Sequence, residues 1–214
     1  MVEGGGPEPG AVRIGVFGGT FDPIHYGHLI AAQEVLWALN LERVLFAPAG
    51  LPPHKRQLVI SPIEQRIAMV ELAIGGNPAF GLSRVDADRP GPAYTVDTAL
   101  LLQQQLGPAA ELSFIIGLDS LNEILTWREP QRLISLVDLA VVTRPGYAVP
   151  DMGDLERILP GVSQRVRLVD MPEIGISASD LRRRVAAGQP IKYQVPELVE
   201  RYIYQNGLYA QAAK

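Results

Sequence analysis

The chain has 214 residues, 19 Lys and Arg against 23 Asp and Glu, a formal charge of −4, and no cysteine. With 47% hydrophobic and 20% charged residues it is neither fibrous nor disordered, and without thiols it has no disulfide framework, thiolate zinc site or thiol nucleophile. Mild acidity argues against nucleic acid bound through a broad basic surface, while a small anionic ligand in a local basic pocket stays open.

The length fits one α/β domain, since length over roughly 150 is a soft guide to domain number. Residues 1–11, rich in Gly, Pro and Glu, are expected to form a disordered tail without the marks of a secretory signal, and residues 12–214 a single domain. No uncharged apolar run reaches the roughly 18 residues that span a bilayer, so no membrane partner is expected and the expected location is the cytoplasm.

In chain order, Val12–Phe17 reads as a buried strand, followed by a Gly-containing loop. A helix over Tyr26–Asn40 follows, with Leu29, Ala32, Leu36 and Leu39 on one face. Arg43–Ala47 is the second strand. Ser61-Pro62-Ile63-Glu64 predicts the next helix start, with Ser61 as N-cap, Pro62 at the first helical position and Glu64 completing a capping box. Its stripe is Ile63, Ile67, Val70 and Ile74. Phe80–Ser83 reads as a strand, Thr95–Leu106 as a helix stopped by Gly107, and Leu112–Ile116, Asp138–Thr143 and Arg165–Val169 as further strands. Ser177–Ala187 and Pro196–Gln205 close the set as helices. This alternation implies an α/β fold with a mostly parallel sheet and helices on both faces. Ligands of such folds bind beyond the carboxyl ends of the strands, so the loops after the strands are where chemistry is sought.

The first of these loops reads Gly18-Gly19-Thr20-Phe21-Asp22-Pro23-Ile24-His25-Tyr26-Gly27-His28. Two glycines let backbone N–H groups approach a ligand, and the helix start that follows favours negative charge. His25 and His28 are three residues apart and share a helix face, so the loop reads as a polyphosphate cradle. It is not a P-loop, since no Lys-Ser or Lys-Thr follows the glycines, and its glycines miss the dinucleotide spacing. A zinc site would need a third ligand, His54 or a carboxylate; no protein metal site is expected. A lone histidine would ordinarily be a satisfied surface or core group, but two of the chain's three fall in this one loop.

The loop resembles the G-G-[ST]-F-D-P-x-H-x-G-H signature of the nucleotidyltransferase superfamily, relatives of the class I aminoacyl-tRNA synthetases. Ile176-Ser177-Ala178-Ser179-Asp180-Leu181-Arg182 is similar to the superfamily's I-S-x-x-x-x-R motif, except that Ala178 stands where relatives often carry a second Ser. There Ser177 can cap a helix, and Arg182 offers a fork for two phosphate oxygens. Arg183 and Arg184 point elsewhere, because successive helical residues diverge by about 100°. Pro52-Pro53-His54-Lys55, Tyr94-Thr95-Val96-Asp97-Thr98, the Phe114–Leu121 segment, Trp127 and Arg144-Pro145-Gly146 are together similar to the bacterial nicotinate-nucleotide adenylyltransferases, in the right order and over nearly the whole chain.

The resemblance implies a Rossmann-like three-layer fold and transfer of the adenylyl group of ATP to nicotinate mononucleotide, giving deamido-NAD and pyrophosphate, with Mg2+ bound mainly through ATP phosphates. It implies catalytic roles for His25, His28 and Arg182. The implied ATP site is Gly18, Gly19, Thr20, Phe21, His25, His28, Asp119, Arg144, Ile176, Ser177 and Arg182; the implied nicotinate-nucleotide site is Gly18, His54, Lys55, Thr95, Trp127 and Arg128. Three of these have a second reading: Trp127 as core packing, Asp119 as a helix N-cap, Arg144 as a turn residue. ATP and nicotinate mononucleotide are thus the expected partners, and a homo-oligomer is compatible with the sequence. The rival functions are an adenylyltransferase that prefers nicotinamide mononucleotide and a non-catalytic nucleotide sensor.

Overall fold

The computed structural model describes residues 11–51, 60–143 and 148–210. The expected tail before Ala11 and the candidate site residues His54, Lys55 and Arg144 lie outside the described residues.

The elements run β1 (Val12–Gly19), α1 (Tyr26–Ala38), β2 (Arg43–Pro48), α2 (Ile63–Ile74), β3 (Phe80–Leu82), α3 (Thr95–Leu106), β4 (Ala110–Gly117) and α4 (Leu118–Asn122). After a 3-10 turn at Ile124–Thr126 come α5 (Pro130–Leu136), β5 (Asp138–Val142), α6 (Met152–Ile158), α7 (Val162–Arg165), β6 (Val166–Val169), α8 (Ala178–Ala186) and α9 (Glu197–Gln205). The six strands form one sheet in the order β3-β2-β1-β4-β5-β6, and every neighbouring pair is parallel. From β1 the chain moves outward through β2 and β3, then crosses back to β4 on the other side. The loops after β1 and β4 therefore diverge and open a crevice at the carboxyl edge, where such sheets take ligands.

Side chains alternate across the sheet. Ile14, Val16, Leu112, Phe114, Leu139 and Val141 face one core, shared with α3 and α5. Val44, Phe46, Ile115 and Ala140 face the other, where Ala31 and Val35 of α1, Met69 and Val70 of α2, Leu181 of α8 and Val199 and Ile203 of α9 are buried. The sheet thus has helices on both faces, three layers in all.

Two local expectations change. The buried face of α1 is Gly27, Ala31, Ala32 and Val35, with Leu29, Leu36 and Leu39 only partly buried beside it, because small side chains let the helix lie close on the sheet. The start of α2 has no capping box: Pro62 is the N-cap and makes no side-chain cap bond, the Ser61 N–H donates to Asp22 Oδ2 at 3.2 Å, and Glu64 pairs with Arg84 at 2.7 Å. Long-range partners took both groups that the local pattern assigned to a cap. The short helices α4 to α7 show no readable periodicity. Isolated helices below about 12 residues are marginal in water, and these are held by buried anchors such as Leu121, Leu133, Leu155 and Val162, each contributing roughly 1.5–3 kcal/mol on full burial.

Candidate active site

At the carboxyl end of β1, the Gly19 carbonyl accepts from the Ala49 N–H at 2.9 Å, which ties the loop to the end of β2. Phe21 is buried at a positive φ of 49°, and its ring lies where a Cβ on Gly19 would come within 2.8 Å, so a side chain at position 19 would displace the ring. The ring of Phe21 in turn supports His28, at 5.1 Å between centroids.

His25 is the N-cap of α1 and is only 3% exposed, with the His28 ring stacked on it at 3.7 Å. A Cβ at Gly27 would sit 3.0 Å from His25 Nδ1, which is why the residue between the two histidines and next to the second is glycine. The His25 backbone N–H donates to His28 Nδ1 at 3.2 Å. An Nδ1 that accepts a hydrogen bond leaves the proton of a neutral imidazole on Nε2, so His28, which borders the crevice, is fixed as an Nε2–H donor.

Arg182 reaches this loop from α8, its Nη1 donating to the Asp22 carbonyl at 2.6 Å. The Ser177 hydroxyl caps α8, accepting from the Asp180 N–H at 3.2 Å, and Ile176 packs against the core beside it. Arg183 pairs with Asp180 and Arg184 donates to the Pro190 carbonyl, both away from the loop, as expected.

Two residues beneath the loop, Tyr209 and Arg66, escaped the sequence reading. The Asp22 carboxylate accepts from the Tyr209 hydroxyl at 2.6 Å and from the Ser61 N–H. Burial first, and then Asp22, pushes the Tyr209 phenol far above its ordinary pKa, so it stays a donor. Arg66, 2% exposed, sends its guanidinium to the carbonyls of Thr20, Ala49, Gly50 and Ser61. Burial pulls its pKa down, with Asp22 and Tyr209 opposing. Nothing in a linear pattern marks such partners: Arg66 and Tyr209 lie in helical or terminal segments far from the motif.

The opposite wall of the crevice carries Thr95, Asp119 and Trp127. Gly117, not Asp119, is the N-cap of α4, and a Cβ at Gly117 would collide with the Asp119 carboxylate, so Asp119 lies exposed along the crevice. Trp127 meets both of its readings, packing partly against the core while lining the crevice. Its backbone N–H donates to the Ile124 carbonyl at 3.1 Å, which commits that amide to the turn. Arg128 is half-exposed, over the Tyr94 ring at 4.8 Å and 3.7 Å from Asp97, and does not border the crevice. Asp86, also missed, is buried there, held 2.7 Å from the Thr98 hydroxyl and 2.9 Å from Arg89.

Gly18, Gly19, His28, Thr95, Asp119 and Trp127 thus border one crevice of about 290 Å3, with Thr20, Phe21, His25, Ser177 and Arg182 grouped around its phosphate-loop wall. Another hollow, between α3 and the strands β2 and β3, is larger at about 570 Å3, but it holds none of these groups and lies away from the strands' divergence.

Residues 16–184 match the cytidylyltransferase-like family. The chain is 53% identical over 197 residues to a probable nicotinate-nucleotide adenylyltransferase of Thermomicrobium roseum, covering 92% of this chain and 91% of that one. It is 46% identical to a probable nicotinate-nucleotide adenylyltransferase of Thermus thermophilus, covering 92% and 100%. Among solved structures it is similar to Plasmodium falciparum nicotinic acid mononucleotide adenylyltransferase complexed with NaAD, with a TM-score of 0.75 at 20% identity over 92% of this chain and 97% of that one, a likeness of fold. With His28 on the crevice, His25 and the arginine of α8 behind it, and the strands diverging there, the chain belongs to the cytidylyltransferase-like nucleotidyltransferases, in the nicotinate-nucleotide adenylyltransferase family.

Proposed function

We propose that the protein joins ATP and nicotinate mononucleotide into nicotinate adenine dinucleotide, releasing pyrophosphate. The observation that carries this reading is that one crevice holds a phosphate-type wall, Gly18, Gly19 and His28, facing a wall with an aromatic face and a hydroxyl, Trp127 and Thr95. The names of the relatives at 46–53% identity agree with it.

The nucleotide's phosphate oxygen attacks the α-phosphorus of ATP, forming one P–O bond while the bond to the bridging oxygen of the β-phosphate breaks, and that oxygen leaves with pyrophosphate. The nucleophile is already an anion, so no base and no covalent enzyme intermediate are needed. The protein's part is alignment and stabilisation of charge on the transferring and leaving groups. His28 Nε2–H donates to the α-phosphate, and His25 beneath it holds the ring. Arg182, braced by the Asp22 carbonyl, faces the leaving pyrophosphate, with Ser177 and the first turn of α8 beside it. Thr95 and Trp127 take the pyridine ring, and Asp119 accepts from a ribose hydroxyl. His54 and Lys55 steer the nucleotide phosphate, Arg144 contacts ATP, and Arg128, next to Trp127 in the chain, adds positive charge for the nicotinate carboxylate.

Among the described residues no three His, Asp or Glu side chains gather as a metal cage; this donor set fits a magnesium ion held by ATP phosphates and water, which needs none. Magnesium so held supplies neutralisation of phosphate charge. Residues 12–214 act as one catalytic domain, in the cytoplasm. No helix among the described residues is long and apolar enough to cross a membrane.

The deciding measurement is kcat/KM with nicotinate and with nicotinamide mononucleotide. A preference for the acid of about tenfold or more is expected, since one charge-assisted hydrogen bond is worth that much. Equal or better use of the amide overturns the substrate, and ATP binding without dinucleotide from either nucleotide replaces the enzyme by a sensor.

A further inference from the structure

Among the described residues, Arg66 is a buried cation that the proposed reaction does not touch. Arg66 sits in the second turn of α2 at 2% exposure, in the layer otherwise packed by Met69, Val70 and Phe46. A charged side chain in such a place is costly unless its donors are matched, and an apolar residue would pack there without that cost. Its partners are unusual for a structural arginine. The guanidinium donates to four backbone carbonyls, Nη1 to Thr20 and Ala49 at 2.8 Å each, Nη2 to Gly50 at 3.2 Å, and Nε to Ser61 at 3.0 Å, while the Asp22 carboxylate acts on it through space.

These carbonyls belong to the phosphate loop after β1, the loop after β2 and the approach to α2. A trans peptide is planar, with C=O and N–H on opposite sides. Drawing the Thr20 and Ala49 carbonyls toward Arg66 therefore turns the N–H groups of Phe21 and Gly50 the other way. Close by in the chain, Gly19 and Ala49 border the crevice. Gly50 is itself pressed there, since a Cβ on it would come 2.6 Å from the Asp86 carbonyl. A loop meant for anions must hide its carbonyls, and a buried five-donor fork is suited to collecting several at once.

We propose that Arg66 is a positioning residue that gathers the carbonyls of the two loops behind the crevice, so that the amides of Phe21 and Gly50 are presented to substrate phosphates. This rests on the crevice being the phosphate site. Lys keeps the charge but cannot span four carbonyls; Met keeps the bulk and neither charge nor donors.

The test compares Arg66→Lys and Arg66→Met with the unaltered protein, well below each melting midpoint and with the folded fraction measured. Misplacement of a reacting group by about 1 Å costs up to about 100-fold. We expect folded Arg66→Lys to lose about that much kcat/KM, with KM for both nucleotides raised, and Arg66→Met to lose at least as much. Folded Arg66→Lys with unchanged kcat and KM overturns the proposal and leaves the residue a matter of stability alone.

Should neither variant fold, amide resonances of the unaltered protein decide. Added pyrophosphate, or ATP with magnesium, is expected to shift the Phe21 and Gly50 signals and slow their exchange. Unmoved signals at saturating ligand overturn the proposal. An unaltered protein that makes no dinucleotide, yet shows these shifts, refutes the reaction and leaves Arg66's role standing.

Discussion

The two walls of the crevice are built by different physics. The phosphate wall is a contiguous loop braced from behind by the buried Arg66 on its carbonyls and by half-buried groups, Tyr209 and Ser61 on the buried Asp22 carboxylate and Arg182 on the Asp22 carbonyl. The aromatic wall is assembled from the first turn of α3, the start of α4 and the turn before α5. Its inner part is held by the buried Asp86, which accepts from the Thr98 hydroxyl at 2.7 Å and from Arg89 at 2.9 Å, and its outer part by the partly exposed pair of Arg128 and Asp97 at 3.7 Å. An exposed pair such as Arg128–Asp97 is worth roughly 0–1 kcal/mol, whereas a hydrogen bond to a charged group is worth roughly 1.5–3 kcal/mol. One wall is therefore fixed before substrate arrives, as transition-state electrostatics require. The other is firmly held at Asp86 and loosely at its outer edge, beside Trp127.

The contrast breaks first at His28. If the phosphate wall acts mainly on the transition state, His28→Ala should lower kcat by about 100- to 1,000-fold, the range for losing one preorganised donor, with KM for both nucleotides little changed. Turnover near normal with an unaltered melting curve removes His28 from the chemistry.

The aromatic wall gives a smaller and different signature. Trp127→Ala should raise KM for the nicotinate nucleotide about tenfold, within the roughly 1–3 kcal/mol measured for base stacking on an aromatic side chain, and leave KM for ATP alone. Trp127→Phe should recover most of it. Because Trp127 also packs on the core, assays belong well below the variant's melting midpoint. An equal rise in both KM values means that the walls are not separate.

What the sequence made legible follows the same division. The Gly18–His28 loop and the start of α8 are each contiguous segments, so their residues could be picked out together, and the fold brings the two against each other through Arg182 and Asp22. The strands of the parallel sheet were legible because a doubly covered strand is almost wholly apolar, as in Phe114-Ile115-Ile116. The capping box at Ser61 failed because a local pattern competes with distant partners, and here Asp22 and Arg84 won. Arg66 reads as one more charge on an amphipathic helix; only the meeting of β1, β2 and α2 makes it a brace. Asp86 and Arg89 lie in a turn, where no periodicity tells burial from exposure.

The smallest effect tests whether the brace beneath the phosphate wall is stability rather than chemistry. Tyr209→Phe removes one hydroxyl and leaves Asp22 Oδ1 without its 2.6 Å donor. The expected loss is about 2 kcal/mol, or about 4–8 °C in melting midpoint for a chain of this size, with kcat within about twofold because Ser61 and Arg182 still hold the loop. The sign with pH follows from the raised phenol. Folded Tyr209 titrates well above its ordinary value, through burial and then Asp22, while the unfolded phenol titrates near 10. Its contribution is complete below pH 10 and shrinks above it, as the unfolded chain gains by ionising, at up to about 1.4 kcal/mol per pH unit. Denaturant midpoints of the two proteins should therefore stay apart by a constant amount from pH 7 to 9 and converge above pH 10. A constant gap through pH 11 would mean that the hydroxyl ionises as easily folded as unfolded, and the Tyr209 bond to Asp22 would then be no part of what holds the phosphate wall.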